Sequence, residues 1–512
     1  MKVLQCNGAS QKSWFEPLST HGTSQLTRAG PNERRCIVRQ ALGFYRTLVV
    51  GGVYTLDNPQ KDVSLEYTLI KALKHCVAIH PILSACIIGE DTETPEFARP
   101  ALLDLNKHID LIGTRQSPDI LDEKDLIKLT LAQVNNHVFT NCNKTPPWKI
   151  VVLPLCRGER PQTDRYLILF GYYHSHGDGK SGLAFHKTFL AGLKQAQHRH
   201  CVYDGDSECA IPRTPLLPTL ETSGELSVSW GYLLSPLLGA YLPSFIASPL
   251  GIRASATPEA DNQWVGHDTF FDHDKYSTGL EIISVEYEDV EKVLRDCREH
   301  NLKLTGLLHQ IIVQALSKEL PFEKAGSFVS QTAVDLRSHL NGITDDDMAL
   351  CPTAYYELFM RTAEESSNPT LISVKDNFWN AARTTTQNLA KCANTLSDQP
   401  VGLLGYLRKM YPWTRGQIGK RRECSYELSN IMSFNPGFFK PEDGWNVESM
   451  IFSQPANVSS GCLNFNVVSK YQGDLTIVIS WQLGALGVQN EQVFAANLGR
   501  FIAKSLRSFG GL

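Results

Sequence analysis

The chain has 512 residues, long enough for more than one full hydrophobic core, with 42% hydrophobic and 20% charged residues and a formal net charge of −4. That balance gives no reason to expect nucleic acid or an anionic membrane surface as the main partner. Thirteen cysteines, spread from Cys6 to Cys462 without C-x-x-C spacing, fit free thiols in a reducing compartment, and a polar N-terminus without an apolar signal core makes cytoplasmic residence the expectation.

Residues 1–35, rich in Ser, Gly, Thr and Gln with little periodicity, read as a partly ordered lead-in. The β-branched and aromatic run from Phe44 to Leu56 predicts a first strand. Leu65, Leu69, Leu73 and Val77 then fall four apart, one apolar face of a helix over 62–80 that Pro81 stops. A strand follows over 82–88, and Pro146-Pro147 turns the chain into another at 148–153. The next strand, Tyr166-Leu-Ile-Leu-Phe-Gly-Tyr-Tyr173, is buried in character and opens into His174-Ser-His176-Gly-Asp178-Gly179, followed by a helix from Gly182 to about Gln197.

Residues 200–224, rich in Pro, Thr, Ser and Asp, read as a crossover. The 27 residues from Leu226 to Ile252 carry no charge, a length that would span a bilayer. Pro236, Pro243 and Pro249 would interrupt a continuous helix there. Two readings compete: short helices or loops packed on the junction, or an interfacial membrane or lipid-droplet anchor or a lid over an apolar substrate. The second half alternates again, with a strand at 280–287, helices at 289–300 and 305–320, a strand at 328–336 and a polar helix at 371–395. Strands at 426–434, 448–452, 462–468 and 475–483 precede a last helix from 489 to about 509. The fold class is mixed α/β, in two comparable halves without an internal repeat.

The stretch from His174 to Gly179 carries the chemistry. An imidazole titrates near neutrality, so His174 can take a proton from a hydroxyl that attacks a carbonyl and return it to the leaving group, a contribution of about 10²–10⁴-fold. Asp178, four residues on across a turn, suits a bracing salt bridge; Gly177 and Gly179 permit positive φ and close backbone approach. A second reading is metallic: His174-x-His176-x-Asp178 resembles the start of the metallo-β-lactamase-type zinc motif H-x-H-x-D-H. Gly179 stands at its sixth position, and His186, His198, His200, His267 and His273 form no second ligand box.

His174-Ser-His-Gly-Asp178-Gly179 also fits the H-x-x-x-D-G motif of the CoA-dependent acyltransferase superfamily, which includes chloramphenicol acetyltransferase, plant BAHD acyltransferases and nonribosomal condensation domains. Ala78-Ile-His80-Pro81-Ile-Leu83 resembles its "HP-x-L" segment, and the apolar helix from Thr305 to Leu316 resembles the one that opens its second domain. Val334-Asp335-Leu336-Arg337 looks like the strand whose arginine pairs with the motif aspartate. Within the superfamily the chain is most similar to the fungal alcohol O-acetyltransferases, through Glu427-Leu-Ser429-Asn430, Met450-Ile-Phe452-Ser453-Gln454 and Ser459-Ser-Gly461-Cys-Leu-Asn464. Tyr173 stands where many members have a second histidine, and the BAHD D-F-G-W-G segment is absent.

The resemblance runs from about residue 35 to the C-terminus. It implies a lead-in (1–35), a first acyltransferase domain with the motif (36–205), a crossover (206–260) and a second acyltransferase domain (261–512), the two domains meeting in a V with a solvent channel. It implies an acetyl transfer from acetyl-CoA to a hydroxyl of a small, fairly apolar alcohol or secondary metabolite, in a ternary complex. His174 would be the general base, Asp178 would be held by Arg337, Gly179 would complete the motif, and Ser429 with Asn430 beside it would match the oxyanion donor. Taken as residues alone, Arg337 is equally an ordinary ion-pair partner and Ser429 an ordinary strand hydroxyl. No metal and no tightly bound cofactor is expected, acetyl-CoA being a co-substrate; a monomer is expected, with peripheral membrane contact left open. The rivals are a carrier-protein thioester donor, a non-catalytic ligand-binding member and a zinc hydrolase.

Overall fold

The structure is a computed structural model that describes residues 23–509 apart from 60–63, 101, 114–121, 157–161, 198–206, 212, 242–256, 259, 261, 362–375 and 438–443. The chain begins with β1 (Thr23–Arg28), α1 (Pro31–Ala41), β2 (Leu48–Asp57) and α2 (Leu65–Ile79). Short strands β3 (Cys86–Ile88), β4 (Glu96–Pro100), β5 (Leu103–Asp104) and β6 (Ile109–Leu111) follow. Then come α3 (Glu123–Asn135), β7 (Trp148–Leu155), β8 (Thr163–Tyr172) and α4 (Gly179–Gln197).

The connection to the second half holds β9 (Glu208–Cys209), α5 (Leu220–Ser223) and α6 (Trp230–Tyr241). Next are β10 (Thr278–Val285), α7 (Tyr287–Glu299), α8 (Leu304–Glu319), β11 (Ser327–Asp335) and β12 (Pro352–Met360). Helices α9 (Asp376–Ala393) and α10 (Met410–Arg415) lead to β13 (Tyr426–Phe434) and β14 (Trp445–Ser453). Strands β15 (Leu463–Lys470) and β16 (Leu475–Gln482) and helix α11 (Glu491–Arg507) complete the chain.

A five-stranded sheet has the order β14-β2-β8-β7-β6, and a six-stranded sheet the order β10-β16-β15-β13-β11-β12. The apolar face read from Leu69, Leu73 and Val77 is fully buried, with α2 packed on α4. Pro81 follows the helix end at His80, as expected for a residue without a backbone N–H. Phe170 of β8 stacks on Phe185 of α4 with ring centres 3.7 Å apart. On the other face of the same sheet, Val49, Val53, Leu167 and Leu169 form one cluster with Leu280, Ile282 and Val478 of the second sheet. Helices α8, α9 and α11 cover the rest of the second sheet. Each large side chain so buried contributes about 1.5–3 kcal/mol.

Several elements differ from the sequence reading. The strand expected at 448–452 is β14, and it lies in the first sheet, antiparallel on β2, with Val50 opposite Phe452 and Leu56 opposite Trp445. Helix α1 lies partly in the segment read as a lead-in; few apolar residues mark it, yet its Cys36, Ile37 and Val38 are buried along with Asn32, Arg39 and Gln40. Strand β12 was not expected because it is a sheet edge, half-buried along most of its length and without apolar alternation. Helix α6 runs through Pro236 where a break was expected. The rest of the uncharged stretch, from residue 242, lies outside the described residues. No described helix is long and apolar enough to cross a membrane.

Candidate active site

Strand β8, in the middle of the first sheet, delivers the turn that begins at His174. Three bonds fix that turn. The Tyr172 hydroxyl donates to the Asp178 carbonyl (2.6 Å), His176 Nε2 meets the Ala85 carbonyl (2.8 Å), and His174 Nδ1 meets the Gly177 carbonyl (2.9 Å). Gly177 has φ 154°, in the region that favours glycine. Gly179 is instead the first residue of α4 without positive φ; a Cβ there would lie 2.3 Å from Ile431 Cγ2 of β13. Close approach of the two halves is therefore what this glycine permits.

Asp178 is the buried hinge of the site. Its Oδ1 accepts from Ser181 N (3.0 Å), capping α4, and the Ser181 hydroxyl donates to it as well (3.1 Å). Cys351 N donates to Oδ2 (3.1 Å). Arg337 closes on both oxygens as a fork, Nη1 to Oδ2 at 2.7 Å and Nη2 to Oδ1 at 2.8 Å, with the two side chains 3% and 8% exposed. Burial alone would raise the Asp178 pKa; the guanidinium and the surrounding donors outweigh it and hold the carboxyl below its usual range. Arg337 also reaches Asp335 (2.9 Å), which Lys180 neutralises in turn (2.8 Å).

A carbonyl only accepts, so His174 Nδ1 carries the proton and Nε2 is the basic nitrogen of a ring that lines a cavity of about 910 Å³. Burial, then the Arg35 charge and, more weakly, Arg39, push its pKa down to about 4, against the opposing pull of the Gly177 bond and Asp178. At neutral pH the imidazole is uncharged. With the Gln40 amide turned so that its oxygen faces the turn, that oxygen accepts the His174 backbone N–H (2.6 Å) and α1 holds the turn. The Tyr45 ring lies 5.5 Å from the His174 ring, and the Arg39 guanidinium lies over the Tyr45 ring, 4.7 Å from its centre.

Ser429 and Asn430 both line the same cavity. A bulge between Asn430 and Ser433, where Met432 takes φ 73°, bends β13 at this point. Asn430 is engaged, its Nδ2 with Thr305 Oγ1 (3.2 Å) and its Oδ1 with Met432 N (2.9 Å), whereas Ser429 makes no side-chain hydrogen bond among the described residues. All six residues singled out in the sequence thus border one cavity.

The sequence reading missed a polar wall. Arg39 donates to Asn457 Oδ1, Asn457 Nδ2 to Glu427 Oε1 (2.7 Å), and the Tyr45 hydroxyl to Gln454 Oε1 (3.0 Å), all of them buried cavity-lining residues. One local signal was available: Gly30-Pro31 with Glu33 marks a helix start, and Glu33 does accept the Gly30 N–H (2.7 Å). The described donors do not gather for a metal, and His198 and His200 lie outside the described residues. His176 faces Ala85, Asp178 is spent on Arg337, and His186 is engaged by Val50 and Tyr54, so these side chains do not converge. Among the described residues no group of three or more His, Cys, Asp or Glu is placed to hold a metal.

This two-sheet architecture is that of the chloramphenicol acetyltransferase-like acyltransferases. TRI3 trichothecene 15-O-acetyltransferase from Fusarium sporotrichioides superposes with a TM-score of 0.64 at 15% identity, over 96% of this chain and 97% of that one. The first condensation domain of the calcium-dependent antibiotic synthetase gives 0.58 at 12% identity, over 95% and 97%. Residues 123–502 match the alcohol acetyltransferase family model, and the chain belongs to that family of O-acetyltransferases. The probable alcohol acetyltransferase FCK4 of Fusarium pseudograminearum is 23% identical over 91% of this chain and 93% of its own length.

Proposed function

We propose that the chain transfers an acetyl group from acetyl-CoA to a hydroxyl of a small molecule, directly and without an acyl-enzyme, with His174 as general base. The observation that carries this reading is the His174 ring: neutral, held by the Gly177 carbonyl in the tautomer with Nε2 basic, and lining a cavity built from both halves of the chain. The acceptor O–H gives its proton to Nε2 as its oxygen bonds to the thioester carbonyl carbon. When the tetrahedral intermediate collapses, the C–S bond breaks and the proton passes to the departing thiolate. The products are an acetate ester and free CoA.

Ser429, with its hydroxyl uncommitted, is the oxyanion donor in this reading; one such donor is worth about 10²-fold or more. Asn430 supports the bulge that presents it. Arg337 and Asp178 hold the turn without touching substrate. The acceptor has an apolar body and at least one further polar group, because the cavity wall is apolar along Leu233, Leu403 and Leu407 and polar along Arg39, Asn457 and Glu427. This modifies the fairly apolar acceptor that the resemblance implies.

Incubation with acetyl-CoA, a panel of alcohols and a thiol reagent tests the reading. Thiol release should require both an alcohol and His174, and His174→Ala should lower the rate by at least ~10²-fold while the protein stays folded. A His174→Ala protein with near-full transfer would sink the assignment.

A further inference from the structure

One face of α1 presents more hydrogen-bond donors than acceptors. Asn32, Arg35 and Arg39 stand three and four residues apart, so they share a face of the helix, and all three line the cavity that holds His174. Asn32 and Arg39 are buried and Arg35 half-buried. Asn32 Oδ1 accepts from Arg35 Nε (3.2 Å) and Nη2 (3.0 Å), while the buried Asn32 Nδ2 has no partner among the described residues. Arg39 donates from Nη2 to Asn457 Oδ1 and lies over the Tyr45 ring, and its buried Nε has no partner either.

Among the described residues neither guanidinium is paired with a carboxylate. Glu427, in the same wall, is held off by an amide: Asn457 takes Arg39 on its oxygen and gives Nδ2 to Glu427 Oε1 (2.7 Å). Burial raises the Glu427 pKa, against the pull of Ser460 and of the Arg39 and Arg35 charges, which weakens it further as a counter-ion. Glu33 and Glu221, near the start of the helix, are spent on the backbone N–H groups of Gly30 (2.7 Å) and Asn32 (2.9 Å). A cation taken out of water without a counter-charge in contact is costly, and an arriving anion recovers that cost. Both charges also reach His174, where they add to the larger effect of burial in lowering its pKa, so this face lies close to the base.

A face rich in donors suits a group that only accepts, and two cations without a contacting counter-ion suit one that is charged. A carboxylate meets both conditions and matches the fork of a guanidinium. We infer that the acceptor alcohol is a hydroxy acid, its hydroxyl held at His174 and its carboxylate taken by Arg35, Arg39 and Asn32. The inference deepens the acetyl-transfer reading above and rests on it. A bound carboxylate also offsets the two charges felt by His174, so the base strengthens as the right acceptor arrives. A neutral alcohol leaves both cations uncompensated. A phosphate of the acyl donor is the competing anion, and the experiment separates the two.

Matched acceptors test this: hydroxyphenylacetate and ω-hydroxydodecanoate, each beside its methyl ester. In at least one pair the acid should show a kcat/KM at least about tenfold above its ester, the worth of a charge-assisted contact. Arg39→Gln and Arg35→Gln should each lower that acid-to-ester ratio by about tenfold and leave KM for acetyl-CoA within about twofold. The ratio is taken within one protein, so a loss of folded fraction cancels, and the half-buried Arg35 gives a variant that disturbs packing least. Esters used as well as their acids in both pairs, or a ratio unchanged in both variants, would overturn the inference. So would variants that raise KM for acetyl-CoA and leave the ratio alone, because the anion would then belong to the donor. Where no acceptor is acetylated, calorimetric titration of the free enzyme with the same pairs decides. An acid bound at least about tenfold more tightly than its ester, with the difference lost in Arg35→Gln, upholds the carboxylate site and removes the transfer reading alone. Equal affinities remove the site as well.

Discussion

Removal of the Arg337 guanidinium has a cost that can be worked from the geometry. Asp178 receives five hydrogen bonds, from Arg337 Nη1 and Nη2, Ser181 N, Ser181 Oγ and Cys351 N. Arg337→Ala deletes the two charge-assisted ones and leaves a carboxylate 8% exposed with neutral donors only. Breaking such a buried pair from one side costs about 3–5 kcal/mol, a large part of the ~5–15 kcal/mol that holds a typical domain together. Asp335 loses a partner too, but Lys180 remains on it, so it adds little. The Asp178→Ala/Arg337→Ala double variant leaves no lone charge. It should be less destabilised than the two single losses summed, by about 2–3 kcal/mol. Arg337→Lys should recover only part, because an ammonium cannot form the fork.

Urea unfolding followed by tryptophan fluorescence, with circular dichroism to establish that the transitions coincide, measures the wild type and the four variants. Two single losses that add up in the double variant to within ~0.5 kcal/mol would refute the coupling. A wild-type midpoint for Arg337→Ala would refute the buried bridge itself.

Two further perturbations separate other parts of the site. His174, held near pKa 4, stays neutral down to about pH 5, so kcat/KM should be flat from pH 7.5 to 5.5, where a base of pKa 6.5 would lose about tenfold. Stability behaves differently. His80, His108, His174, His176 and His186 are pushed down by burial to about 4, and His309 to about 3. Between pH 6.5 and 4 these groups are neutral when folded and protonated when unfolded. Stability therefore falls as pH falls through that window, by ~1.4 kcal/mol per pH unit for each proton taken up, and for most of these groups the loss ends below about pH 4. Asp178, whose folded pKa is lowered, keeps its contribution throughout this window and loses it only at still lower pH. Thermal melts from pH 7 to 4 check this, and an unchanged midpoint would contradict the buried neutral histidines. Gly179→Ala should abolish activity and lower the melting temperature, since its Cβ must displace Ile431; a variant with normal rate and melting would show that the two halves do not meet as tightly as described.

What the sequence made legible follows from where chemistry and pattern coincide. His174, Asp178 and Gly179 stand next to each other after an apolar strand, so their spacing announces them. Arg337 could be matched to Asp178 only through resemblance, because the pair is joined across the two halves of the chain. Arg39 and Asn457 carry no local pattern at all, and Glu427 stands in the stretch matched through Ser429 without being marked as a site residue; only the folded cavity makes the three a wall. The strand at 445–453 was visible as a strand, but a strand's own alternation does not name its sheet. Its place beside β2 is a property of the closed structure.

That placement has a consequence for how the protein comes into being. Strand β2 is complete once residue 57 has been made, and it pairs with β8 on one side; its other edge waits for residues 445–453. During synthesis the first sheet therefore presents a long, apolar, unpaired edge until most of the chain has left the ribosome. Such an edge is a template for wrong pairing, with a neighbouring nascent chain among others. Truncation before residue 453 should therefore yield aggregate even though every residue of the H-x-x-x-D-G motif is present.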